Sequence, residues 1–119
     1  GLNMFAQAKI GNGWREDQIY WAEAAVKRGI SYWLWVTFYC EPEINVRVKR
    51  DTFLVPFELA NQTRLMIPQK TLPYSEKYAK RIDMRSMTAV NLWGQHRLHW
   101  LNGKYEISPS HPFYRMFLS

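Results

Sequence analysis

The chain has 119 residues, 16 Lys and Arg against 10 Asp and Glu, 47% apolar and 16% aromatic content, and a single Cys. A chain of roughly 100 to 150 residues builds one hydrophobic core, so 1–119 is read as one domain, whole or excerpted from a longer protein, and a multidomain machine is excluded. Cys40 has no partner for a disulfide or a Cys-based zinc site, and the longest apolar stretch, Trp33 to Cys40, is far short of the roughly 20 residues of a membrane helix.

Gly11, Asn12 and Gly13 form a turn-like cluster, after which the segment 14–28 reads as a helix stopped by Gly29. Glu16 and Asp17 open it while Lys27 and Arg28 close it, the polarity that the helix dipole favours. From Ile30 to Cys40, β-branched and aromatic residues predict a strand with Tyr32, Leu34, Val36 and Phe38 on one face and Trp33, Trp35, Thr37 and Tyr39 on the other. Glu41, Pro42 and Glu43 read as a hairpin connection to Ile44 to Arg50. That short connection pairs Tyr39 with Asn45, Thr37 with Arg47 and Trp35 with Lys49. Thr52 to Leu59 predicts a third strand, which Pro56 pushes to an edge or bulges, and Arg64 to Ile67 predicts a short fourth. Ser75 caps an expected second helix over 75–85, basic on its outside through Lys77, Lys80, Arg81 and Arg85. Thr88 to Trp93 reads as a strand. A hairpin over 97–107 turns at Asn102 and Gly103, which pairs Trp100 with Tyr105 and Leu98 with Ile107, all four expected to face the core, and His99 with Glu106 on the opposite face. The apolar tail with Phe113, Tyr114 and Phe117 is expected to pack on the domain or on a partner. The fold class that follows is α+β, a single compact domain with a mainly antiparallel sheet.

A formal net charge of +6 favours polyanionic partners. The leading expectation is therefore a non-enzymatic DNA- or RNA-binding domain, part of a larger nucleic-acid-processing protein or complex. Trp33, Trp35 and Tyr39 share a predicted face with Arg47 and Lys49, a mixture that stacks bases and holds phosphates unless a covering layer makes that face core. Lys77, Lys80, Arg81 and Arg85 would follow a phosphate backbone. A protein-interaction module or self-association through Phe113, Tyr114 and Phe117 is a further alternative. The lone Cys and the absence of a signal-peptide pattern in Gly1 to Lys9 suit an intracellular setting, cytoplasm or nucleoid or nucleus.

The helix "YWAEAAVKRGISY" and the strands "KRDTFLVPFEL" together resemble nucleases of the restriction-endonuclease fold, over about Gln18 to Leu59. In that family an acidic helix residue precedes strands bearing an Asp and then a Glu-x-Lys, followed by another helix. The resemblance implies an acidic site of Glu23, Asp51 and Glu58, in a metal-dependent nuclease where Asp51 and Glu58 hold a magnesium that activates water, or in an inactive relative that kept binding. The chain departs from the pattern at Ala60, where Lys is expected, and at Pro56 within the catalytic strand. His96 and His99 fall on opposite faces of a strand, which argues against a shared metal. No phosphate-binding loop, dinucleotide fingerprint or Ser nucleophile elbow is present, so no cofactor is expected outside the magnesium of this alternative.

Overall fold

The computed structural model describes residues 4–11, 13–43, 46–68 and 84–118, those within 40–50 and 117–118 by their backbone alone. The elements are β1 (Met4–Ile10), α1 (Glu16–Lys27), β2 (Ser31–Glu43), β3 (Val46–Pro56), α2 (Phe57–Thr63), α3 (Met84–Trp93), β4 (His99–Leu101) and β5 (Lys104–Glu106). One sheet has the order β1-β2-β3, and β4 and β5 form a separate hairpin. The α+β class and the mainly antiparallel pairing are as expected, with one exception. The unanticipated strand β1 runs parallel to β2, from Met4 opposite Ser31 to Ile10 opposite Thr37. Parallel neighbours need a crossover, and α1 supplies it.

Helix α1 ends as its sequence dictates. Gly29 takes a positive φ of 84° and its N–H bonds to the Val26 carbonyl, while Ile30 N–H reaches back to Ala25. This paired closure satisfies two orphan carbonyls and needs the left-handed conformation that glycine adopts without strain.

The β2–β3 register corrects the expected one. Tyr39 faces Lys49, Thr37 faces Thr52 and Trp35 faces Leu54, because β2 continues through Glu41, Pro42 and Glu43 and turns later. The register shifts between Phe38 and Tyr39, where Arg50 is left without an opposite residue, and again between Cys40 and Glu43, around Pro42, which has no N–H to give a ladder. Strand β3 joins the two runs expected on either side of Asp51 and stops at Pro56. Pro56 then stands at the N-cap of α2 with extended backbone angles, so Phe57 to Leu59 is helical rather than the end of a strand. The segment Thr88 to Trp93, expected as a strand, belongs to α3. Its buried residues Ser86, Ala89 and Trp93 recur at helical spacing. Arg64 to Met66 is a turn, closed by Met66 N–H on the Thr63 carbonyl. Of the helix expected over 75–85, residues 75–83 lie outside the described residues, and Met84 and Arg85 open α3.

Both faces of the sheet are covered over β2 and β3, while most of β1 is exposed. On one, Leu34, Val36 and Phe38 pack with Phe53 and Val55 against Ala60, Ile67, Ala89 and Trp93. Trp93 is fully buried, and its indole N–H is satisfied by Thr63 Oγ1 at 2.9 Å, whose hydroxyl in turn donates to the Leu59 carbonyl at 2.7 Å. That chain removes the cost of a buried, unpaired donor. On the other face, Trp33 and Leu54 pack with Leu98, and Trp35, Tyr105, Ile107 and Phe113 close around them. The C-terminal hairpin and tail thus form a third layer over the sheet. Leu98 N–H bonds to the Thr52 carbonyl, which ties this layer to β3.

Candidate nucleic-acid interface

The expected aromatic face is core at its centre. Trp33 is 3% exposed, meets Phe113 edge to face at 5.1 Å, and is not placed to receive a base. Trp35 is half-buried with Tyr105 against its ring at 5.9 Å, and Tyr39 is half-buried. Arg47 and Lys49 are placed by strand register alone, Lys49 opposite Tyr39. Lys77, Lys80 and Arg81 lie outside the described residues. Arg85 is half-buried in the first turn of α3.

The three carboxylates of the nuclease alternative are not brought together. Glu23 is exposed on α1, Glu58 is exposed in the first turn of α2, and Asp51 is buried on β3. Both Asp51 oxygens are engaged: Oδ1 accepts from Arg97 Nη2 at 2.5 Å, and Oδ2 accepts from the Ser86 hydroxyl. Among the described residues no group of three His, Cys, Asp or Glu side chains is arranged to hold a metal ion.

A lysine that sequence reasoning passed over stands out instead. Lys9 points to the same side of the sheet as its parallel neighbour Val36. Its Nζ donates to Gln18 Oε1 at 3.1 Å and lies 4.7 Å from the centre of the Trp14 ring. Burial, and then the positive charge of Arg15, push the Lys9 pKa below its ordinary value. Gln18 Oε1 also accepts the Arg15 backbone N–H at 3.2 Å, so one carboxamide holds the strand end and the helix start together. Among the described residues no carboxylate ion-pairs with Lys9, whereas Arg15 is paired with Asp17 at 3.3 Å. Two residues past Lys9, a Cβ on Gly11 would come within 3.3 Å of Arg85 Nη1, so the missing side chain admits that guanidinium to the strand end. The carboxyl end of β1 therefore gathers Lys9, Arg15 and Arg85. The available signal was a single lysine at alternate spacing with Gln7 in an otherwise apolar segment, MFAQAKI.

The hairpin builds a second feature. Asp51, Thr52, Arg97, Leu98, His99, Trp100 and Tyr105 line a cleft of about 520 Å³. On the far side of the Asp51–Arg97 pair, Met87, Val90 and Asn91 line a second hollow of about 380 Å³. Close by in the chain, His96 and His111 meet ring to ring at 5.4 Å. His111 Nδ1 accepts the Phe113 N–H at 2.9 Å, which leaves the proton on Nε2 to donate to the His96 carbonyl at 3.0 Å. Burial, and then His111, lower the His96 pKa to about 4; burial also lowers that of His111, against hydrogen bonds to His96 and Leu54 that raise it. Both imidazoles are thus held neutral as packing elements.

Comparison with protein-family models, curated proteins and solved structures finds no match to this chain.

Proposed function

We propose that this domain binds nucleic acid, with the carboxyl end of β1 receiving backbone phosphate. The observation that carries this reading is Lys9: a half-buried ammonium beside Arg15, partnered among the described residues by a carboxamide and an aromatic ring rather than by a carboxylate. Crowding cations at one strand end raises the local positive potential, and a phosphate oxygen entering there relieves it. The net charge of +6 supplies the long-range attraction. Fluorescence anisotropy of a labelled DNA or RNA strand at several salt concentrations tests the reading. Affinity is expected to fall steeply with salt, and Lys9→Ala to weaken binding while reducing the magnitude of the log–log slope by about 0.7 to 0.9, one phosphate contact. Affinity that is indifferent to salt, or a Lys9→Ala slope equal to that of the parent, would rule it out.

A second reading keeps the nuclease kinship but moves its site. Gln7 and Lys9 stand two residues apart on one face of β1, and α1 follows, which is the order of the acid-x-Lys strand and its succeeding helix. Gln7 occupies the acid's place, and its Oε1 accepts from the Tyr32 hydroxyl at 2.5 Å. A carboxamide brings no charge to a divalent cation, so this reading favours a relative that kept the lysine and the phosphate site without the metal. Incubation of a labelled strand with magnesium or manganese is expected to leave it intact. Cleavage that Lys9→Ala abolishes would replace the binding reading with an enzymatic one.

A further inference from the structure

We infer that the cleft between the β4–β5 hairpin and β3 takes an unpaired nucleobase, making single-stranded nucleic acid the substrate class of this domain. The inference rests on the nucleic-acid reading above but uses a different surface. Trp100, expected in the core, instead lines the cleft and is 56% exposed, an expensive position for the largest apolar side chain. Its ring is nevertheless held: Tyr105, its cross-strand partner, meets it edge to face at 4.8 Å, and the half-buried Trp35 meets Tyr105 at 5.9 Å. The ladder Trp35, Tyr105, Trp100 runs from the core to the surface and ends in an aromatic ring oriented before any ligand arrives. Such orientation lowers the ordering cost that a mobile side chain would pay on binding.

Arg97 lines the same cleft. Its side chain is 46% exposed, and Asp51, 7% exposed, holds Nη2 at 2.5 Å. Asp51 offsets part of the charge but also aims the guanidinium, whose remaining N–H donors are available to base edges or phosphate. Thr52 and the exposed His99 also line the cleft. A volume of about 520 Å³ falls within the range of small-molecule sites, with room for one nucleotide and water. An aromatic platform and a fixed cation lining one cleft match the two parts of a nucleotide, its flat base and its anionic backbone. In a duplex the bases are already stacked on one another, so only an unpaired base can enter.

The test is anisotropy with a labelled oligothymidylate strand and the same strand annealed to its complement, on the parent, Trp100→Ala, Trp100→Phe and Lys9→Ala. The parent is expected to bind the single strand more tightly than the duplex. Trp100→Ala should weaken the single strand by between about fivefold and a hundredfold, leave the duplex unchanged, and be largely rescued by Trp100→Phe. Because Trp100 is over half exposed, its truncation leaves the core intact. Binding that Lys9→Ala weakens but Trp100→Ala does not would overturn the cleft and spare the nucleic-acid reading. Failure of the parent to bind either probe at low salt would overturn both. Self-association in sedimentation, lost in Trp100→Ala and with no strand bound, would assign the cleft to a protein contact instead.

Discussion

Asp51 shows how one residue type can serve unrelated ends. A carboxylate on a strand, followed seven positions on by Glu58, reads as half of a metal site, and only its surroundings decide otherwise. In the fold it faces α3 and the segment after it, where Ser86 and Arg97 take up both of its oxygens. Its removal would leave the buried Ser86 hydroxyl without its acceptor and Arg97 without its anchor. Asp51→Ala is therefore expected to lower stability by about 2 to 4 kcal/mol, below the upper range for a fully buried pair because Arg97 is half exposed. The measurement is the urea midpoint at constant m-value, and a change under about 0.5 kcal/mol, the scale of an ordinary surface substitution, would contradict this role. Lys9 is the converse case. Nothing in the sequence MFAQAKI marks its chemistry, since a lysine acquires meaning only when a strand half-buries it.

Among the elements, those with local instructions formed as expected. Asn102 and Gly103 have φ values of 52° and 81°, the positive pair that a two-residue turn demands, and they set Trp100 opposite Tyr105 and His99 opposite Glu106. Gly29 stopped α1 within two residues of the expected place. Elements defined by partners did not: α3 takes its helical form where β-branched and aromatic residues suggested a strand, because that spacing brings Ala89 and Trp93 onto the sheet. The C-terminal layer has its own pH dependence. With the folded pKa of His96 near 4 and the ordinary value at 6.5, an unfolded chain binds protons that the folded one refuses. The stability held by the neutral pair is complete above about pH 6.5 and is lost as pH falls from there toward 4. Allowing for the partial exposure of His96, the loss is on the order of 1 to 2 kcal/mol. Protonated His111 would also turn an N–H toward the Phe113 N–H that Nδ1 now accepts. Thermal unfolding followed through Trp emission should show a midpoint that falls over this window and flattens in His96→Gln. An equal fall in that variant would remove His96 as the cause.

At the scale of the whole molecule, the sheet lies between two layers, and that arrangement separates aromatic residues by role. Trp33 and Trp93 are core while Trp21 and Trp100 are exposed, although nothing in their immediate sequence distinguishes them. Alternation along β2 correctly assigned Leu34, Val36 and Phe38 to one side and Trp33, Trp35 and Thr37 to the other, since a strand's period of two is intrinsic to the backbone. Alternation has no means of reporting what lies above each side, and here the covering layer comes from residues over sixty positions downstream. The basic and aromatic content was legible in composition, but which of those side chains are buried and which exposed was not.

The α+β class, the limits of α1, the turn at Asn102 and Gly103, and the cationic excess follow from the chain alone, because each depends on backbone preferences or charge that neighbours in sequence supply. Tertiary structure decided that Trp33 is buried and Trp100 exposed, that Asp51 binds Arg97, and that Lys9 sits beside Arg15 with Gln18 and the Trp14 ring as its neighbours. Those outcomes depend on pairing between segments distant along the chain, where burial and electrostatics are set by whichever surface arrives to cover each residue.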